Sequence, residues 1–270
     1  MRLGIGTYAY MWSIGFPGAQ PAQPMTALDL LAKARELGVH VVQIGPNLPL
    51  DRLSEAALDA AVKQAQEWDI ELEVGTRGLE TEHLRRQLAI AKRLGATLLR
   101  TIPEVAGGTV PPLAEIADYL RAIIPDLAAA RVRLALENGK IPAQDLSGLL
   151  DSLRSPWLGI TLDTVNSLAI PEGTEHVVKT LARHTMCLHL KEFVVQRVWH
   201  MMGFTVEGRP AGQGQLDIPW LLDTLRAAGV SPNAILELWP PEQKTLPATI
   251  ALEHAWAVES IQYLRRYIPD

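Results

Sequence analysis

Short β-like runs alternate with amphipathic helical stretches along this sequence, and that alternation constrains the fold more than any other feature. Runs compatible with strands lie at residues 3–9, 41–45, 71–75, 97–102, 133–137, 158–163, 186–191 and 234–239. Between them, residues 27–37 (closed by Gly38 at a C-cap position), 82–94, 113–127 and 218–228 place apolar residues three and four apart, the spacing of one helix face. Strands separated by helices run parallel, because each helix carries the chain back across the sheet. Roughly eight β/α units are what a closed parallel barrel needs, and about 250 residues is its usual size. A doubly wound open sheet is the alternative, but no Gly-rich phosphate loop follows the first strand. The expectation is α/β, a single (β/α)8 TIM barrel, with residues 1–270 forming one domain.

In a barrel strand, alternate side chains enter the lumen while the others face the helices and must be apolar. In the fifth run Val132, Leu134 and Leu136 face out, so Arg133, Ala135 and Glu137 point in. The same parity puts Ile160 and Leu162 outside with Asp163 inside. It sets Met186, Leu188 and Leu190 against Cys187, His189 and Lys191, and Leu236 and Leu238 against Glu237. Four successive strands thus deliver Glu137, Asp163, His189 and Glu237 to the C-terminal rim, where barrel enzymes keep their chemistry. Earlier strands send Gln43, Glu73 and Arg100 inward. Ionised groups in a lumen are costly unless paired or metal-bound. Glu73, Glu137, Asp163 and Glu237 face only Arg100 and Lys191, so two positive charges are missing and one divalent cation closes the deficit.

Composition narrows the partners. Lys and Arg number 25 against 30 Asp and Glu, a formal charge of −5, so no positive field is available to hold a nucleic-acid backbone. The apolar runs fall short of a membrane span, and Gly4 and Gly6 break the N-terminal stretch before it could form a secretory core. A lone cysteine, Cys187, excludes an internal disulfide and a Cys-rich zinc site, and fits a cytoplasmic setting.

Three carboxylates and an imidazole form a mixed, mostly hard ligand set suited to Mn²⁺, Mg²⁺ or Co²⁺ more than to structural zinc. Such an ion leaves positions free for adjacent oxygens of a hydroxy-carbonyl compound and lowers the pKa of the neighbouring C–H. A nearby carboxylate then takes the proton. Reprotonation from the opposite face gives an epimer, and return of the proton to the neighbouring carbon gives an aldose–ketose isomer.

The segments LALEN, ITLDTVNS, CLHLKEF and ILELWPP, with PAGQGQLD between the last two, resemble the xylose-isomerase-like TIM-barrel superfamily of sugar phosphate isomerases and epimerases over nearly the whole chain. Its members include ketose 3-epimerases, hydroxypyruvate isomerases and inosose dehydratases. The resemblance implies one divalent ion, Mn²⁺ first and Mg²⁺, Co²⁺ or Zn²⁺ as alternatives, on Glu137, Asp163, His189 and Glu237. It also implies an acid/base role for Glu137 and Glu237. The epimerases usually carry a His three residues after the Asp ligand, where this chain has Asn166, which can hydrogen-bond but not be charged. Their substrate-binding Arg soon after the His ligand has no counterpart in register; Arg197 and His200 lie further along. The expected activity is a metal-dependent sugar or keto-sugar isomerase or epimerase. A dehydratase on the same site and a non-catalytic sugar-binding relative are the alternatives. The related apurinic endonucleases need a His-rich three-zinc cluster and a basic face, neither of which is legible here.

The expected substrate contacts are Tyr8, Arg100, Asn166, Lys191, Arg197 and His200. Arg100 could instead close the rim with a salt bridge, and Lys191 could pair with Glu73 or Glu192. Cys187, below His189 on the same face, reads as a small core residue. Residues 210–217 read as a tight turn into a helix capped by Asp217. The connection from Phe193 to Pro210 exceeds ordinary loop length and reads as a lid or as a contact with a neighbouring subunit. A small-molecule sugar substrate and a homodimer or homotetramer are the partners expected.

Overall fold

The computed structural model describes residues 1–269. In chain order the elements are β1 (Leu3–Gly6), α1 (Met11–Ile14), α2 (Ala27–Leu37), β2 (Val41–Ile44), α3 (Glu55–Glu67), β3 (Glu71–Arg77), α4 (Thr81–Leu94), β4 (Leu98–Ile102), α5 (Leu113–Ala130), β5 (Arg133–Glu137), α6 (Ala143–Leu153), β6 (Leu158–Asp163), α7 (Thr174–Leu181), β7 (Thr185–Leu190), β8 (Glu192–Arg197), β9 (Phe204–Arg209), α8 (Ile218–Ala227), β10 (Asn233–Leu236) and α9 (Leu246–Leu264). The parallel strands close in the order β1-β10-β7-β6-β5-β4-β3-β2, the (β/α)8 barrel that the alternation predicts, while β8 and β9 pair with each other. No helix among the described residues is long and apolar enough to cross a membrane.

Local chemistry sets the helix ends. Thr26 accepts from the Asp29 N–H while the Asp29 carboxylate accepts from the Thr26 N–H, a capping box that starts α2; Gly38 ends it in the left-handed region. Asp217 caps α8 through the Trp220 N–H. The helix-facing strand residues Leu134, Leu136, Ile160, Leu162, Leu188, Leu190 and Leu236 are buried in one continuous shell with the helices. Each such side chain contributes about 1.5–3 kcal/mol on burial. Inside the barrel, Val41, Leu98, Ala135, Cys187 and Ile235 form a separate apolar plug. The polar residues of interest stand above or beside this dry floor.

The structure departs from expectation at several places, among them the end of the last barrel strand, at Leu236 rather than residue 239. The first strand ends at Gly6 rather than residue 9, because the chain turns at Thr7–Tyr10. There Thr7 Oγ1 accepts from the Gly45 N–H, and the buried Tyr10 hydroxyl meets His254 Nδ1 on α9. Met186, expected to face the helices, packs against the lumen plug, because the β6–β7 register shifts between Ile160 and Thr161. The long connection after β7 is a β-hairpin. Its two strands pair from Glu192 opposite Arg209 to Arg197 opposite Phe204. Its stem is anchored by the buried Glu192 carboxylate, which accepts backbone N–H bonds from Phe193, Gly212 and Leu216.

Candidate metal centre

Strand register brings the polar residues together. Asp163 on β6 lies opposite His189 on β7, and Gln43 on β2 lies opposite Glu73 on β3. Each pair is therefore side by side on the lumen face. Glu137 and Glu237, just at or beyond the ends of β5 and β10, complete a ring around the His189 imidazole. Its Nδ1 lies 3.3 Å from Glu237 Oε1, 3.6 Å from Glu137 Oε2 and 3.9 Å from Asp163 Oδ2. One ligand atom each from Glu137, Asp163 and His189 fall within 4.8 Å of one another.

A chain of hydrogen bonds fixes which imidazole nitrogen faces the carboxylates. The Arg2 N–H donates to Asn233 Oδ1, so the Asn233 amide donates to Glu73 Oε1. Gln43 Nε2 donates to Glu73 Oε2, which turns Gln43 Oε1 toward His189 Nε2 at 2.7 Å. An amide oxygen only accepts, so Nε2 carries the proton and Nδ1 presents its lone pair to three carboxylates. Asp163 is oriented in the same way. Its Oδ1 accepts the N–H groups of Val165 and Asn166, and this leaves Oδ2 turned to the centre.

The buried atoms Glu137 Oε2, Asp163 Oδ2, Glu237 Oε2 and His189 Nδ1 have no hydrogen-bond partner among the described residues. Lys191 Nζ stands 2.8 Å from Asp163 Oδ2 and 2.9 Å from Glu237 Oε2 as an ion pair outside hydrogen-bond alignment. Carboxylate oxygens matched only by ion pairs, converging on an imidazole lone pair that has no donor, fit a divalent cation. Glu137, Asp163 and His189 could hold it, with Glu237 beside them. The donor set does not select one metal.

Charge arrangement follows from burial. Burial raises the Asp163 carboxyl, opposed by Lys191. For Glu137 burial is outweighed by Arg100 and His189, which hold its carboxyl well below the usual range; Arg100 Nε is ion-paired to Glu137 Oε2. Burial would lower Lys191, but Asp163 and Glu237 raise it. Burial would likewise lower His189, and Glu237 and Glu137 raise it, the response expected of a nitrogen placed where a cation belongs. Burial pushes the Tyr8 hydroxyl up, with Arg100, Glu237 and Glu137 acting on it, which places Tyr8 at the edge of the cluster.

Asn166 spans the centre and the space above it. It donates to Glu137 Oε1 at 2.6 Å and accepts from Lys191 Nζ at 3.2 Å. It also lines a cavity of about 550 Å³ with Leu168, Val206, Arg209, Trp239 and Pro241. The hairpin forms one wall, and Gly208 makes this possible: a Cβ there would overlap the Trp239 indole. Arg100 and Lys191 both lie at the centre, Lys191 paired with Asp163 and Glu237 rather than with Glu73 or Glu192. Arg197 and His200 are not brought there. Strand pairing carries them out along the arm, where Arg197 stacks over Phe204 and donates to Met201 O, and His200 meets Trp199 edge-on. Sequence reasoning missed Arg209 and Trp239 as cavity residues, and Gln43 and Glu73 as the chain that orients His189.

Residues 12–267 match the model of the xylose isomerase-like TIM barrel. The chain belongs to the xylose isomerase-like TIM barrel family. Within this family it is 33% identical over 265 residues to the 3-oxo-isoapionate decarboxylase of Pectobacterium atrosepticum, covering 98% of this chain and 95% of that protein. A crystal structure of D-psicose 3-epimerase in the presence of D-fructose superposes with a TM-score of 0.75 at 15% identity, each chain covered over 100%. The IOLI protein with a bound zinc atom gives a TM-score of 0.70 at 18% identity, again over 100% of both chains. These two likenesses are of fold.

Proposed function

We propose that this protein is a divalent-metal-dependent decarboxylase of a 3-oxo sugar acid. The observation that carries the reading is the end-to-end 33% identity to a decarboxylase of such a compound, and the charge at the centre supports it. With His189 neutral, Glu73, Glu137, Asp163 and Glu237 exceed Arg100 and Lys191 by two negative charges, which a divalent cation would cancel. A centre neutralised in this way can admit the negative charge of a sugar acid. In the cavity wall Arg209 is paired with Glu207, so the two add no net charge there.

Glu137, Asp163 and His189, with Glu237 beside them, would hold a divalent ion, and such an ion would supply Lewis acidity to a bound keto acid. The residues do the rest. The bond from the α-carbon to the carboxylate breaks, CO₂ leaves, and the electron pair passes into the carbonyl to give an enolate. Lys191 and Arg100 present fixed positive charge to that developing anion. Lys191 then gives its own ammonium proton to the former α-carbon in place of the lost carboxyl group, and solvent restores it. Asn166 holds a substrate hydroxyl, and Tyr8 and Trp239 shield the cavity from water.

The isomerase or epimerase reading keeps one specific support: Glu137 and Glu237 both border His189 Nδ1, so either could exchange a proton with a bound ketose. A single experiment separates the two. The protein is loaded with Mn²⁺ or Zn²⁺ and given 3-oxo-isoapionate in D₂O, with a ketose panel in parallel. Decarboxylation predicts stoichiometric CO₂ with one deuterium retained at the former α-carbon, abolished by EDTA. Asp163→Asn and His189→Ala should lose more than the roughly 10–100-fold that removal of an outer-shell partner costs. Deuterium exchange into ketoses without CO₂ would overturn the decarboxylase in favour of the isomerase.

A further inference from the structure

Several cations at the catalytic end of the barrel are already spent. Arg100 and Lys191 face the carboxylates around His189, and Arg209 is held by Glu207 and the Gly208 carbonyl. Arg77 differs from these. Alternate residues of β3 share a face, so Glu73, Gly75 and Arg77 all turn to the lumen side, and Arg77 ends the strand at the rim where the metal centre lies. Gly75 stands opposite Arg100 on β4, and Arg100 Nη1 donates to Thr76 O, so the two guanidiniums occupy neighbouring places on that rim. Arg77 donates through Nε alone, at 2.5 Å, to Glu104 Oε1. Its two terminal nitrogens make no hydrogen bond among the described residues, and its side chain is 52% exposed. We propose that Arg77 binds the carboxylate of the substrate through those two nitrogens.

The surroundings suit a carboxylate. Glu104 is buried and accepts from Lys140 Nζ through its other oxygen, so Arg77, Lys140 and Glu104 together carry one net positive charge. The Glu104 contact also fixes the guanidinium plane. A planar fork anchored at Nε and free at its tip is the arrangement that takes a carboxylate end-on, by two parallel hydrogen bonds. Arg77 lines a cavity of about 690 Å³ between the loops that follow β3 and β4, which leaves space for a ligand beside it. The other acids of that wall are engaged elsewhere: Glu82 with Arg85, and Glu80 with the Ala106 N–H. Burial raises the Tyr8 hydroxyl while Arg100, and more weakly Arg77, act against it, so Tyr8 lies between the fork and the centre. A sugar acid with its keto oxygen toward His189 and its neighbours therefore meets a matching charge at the end of β3, whereas a neutral ketose leaves Arg77 unused. The inference rests on the sugar-acid reading above and names the residue that selects for it.

Titration calorimetry on the Mn²⁺-loaded protein, with xylonate as an unreactive acid and xylitol as its neutral counterpart, tests it. The wild type should prefer xylonate. Arg77→Gln should weaken xylonate about 10–100-fold, the usual worth of a charge-assisted contact, and leave xylitol binding and Mn²⁺ affinity as they are. Arg77→Lys, which keeps the charge but not the fork, should fall between the two, and far-UV circular dichroism should match for all three. Arg197→Gln removes the same charge from the arm and should alter neither ligand. Equal affinity of the wild type for both compounds, a preference that persists in Arg77→Gln, or the same loss in Arg197→Gln would each overturn the subsite. Calorimetry reads no turnover, so the two proposals fail separately. A protein that releases no CO₂ from 3-oxo-isoapionate, yet loses its xylonate preference in Arg77→Gln, overturns the decarboxylase and upholds Arg77.

Discussion

His189 shows how one neutral amide can decide the chemistry of a charged centre. Gln43 donates to Glu73 and so offers His189 an acceptor, leaving Nδ1 as the ligand nitrogen. Gln43→Leu should weaken Mn²⁺ or Zn²⁺ binding about 10–100-fold in calorimetric titrations. The ¹⁵N shifts of His189 should then show a mixed tautomer; unaltered affinity would dismiss the amide's role. Glu253 offers a second test. It is buried on α9, accepts from Trp12 N, Ser13 N and Ser13 Oγ, and is pushed up by burial to about 7. The folded state therefore holds a proton that the unfolded chain has released, so stability falls as pH rises from the ordinary glutamate range to about 7. The loss is of order 3 kcal/mol. Glu253→Gln should flatten this dependence in denaturant melts taken at several pH values. Parity on single strands already turns Gln43, Glu73, Glu137, Asp163, His189 and Glu237 inward. It cannot show that Gln43 meets His189, because that contact crosses the lumen and exists only once the barrel has closed.

At the level of elements, the barrel strands were readable because each alternates sharply between an apolar outer face and an inner one. The arm was not. Val194, Val195, Thr205 and Val206 have strand chemistry, but much of their apolar surface meets no core, so hydrophobic periodicity gives no account of them. Arg197 and His200 were expected at the centre for want of that hairpin. Contact between Gly208 and the Trp239 indole now holds the arm against the rim. Gly208→Ala should separate them and destabilise the protein by about 1–3 kcal/mol, the usual cost of overpacking. Substrate KM should rise while Mn²⁺ affinity, set beneath on other strands, stays the same. Tryptophan fluorescence and kinetics would check both.

For the molecule as a whole, the carboxylates gathered around His189 are held apart in charge only by Arg100 and Lys191, so the fold carries electrostatic tension that a bound cation relieves. Thermal melts should therefore rise on addition of metal, by the equivalent of about 2.7 kcal/mol at a hundred times the dissociation constant. Asp163→Asn should remove the response while raising the metal-free midpoint, since a neutral amide repels its neighbours less; a metal-insensitive wild type would contradict the site. The arm has a consequence of another kind. Residues 192–209 supply a wall of the substrate cavity at one end and an apolar surface at the other, on a single insertion that the barrel does not need for closure. Grafting this block from one homologue to another would carry the cavity wall and the apolar surface together, so divergence in either should leave its mark on the other.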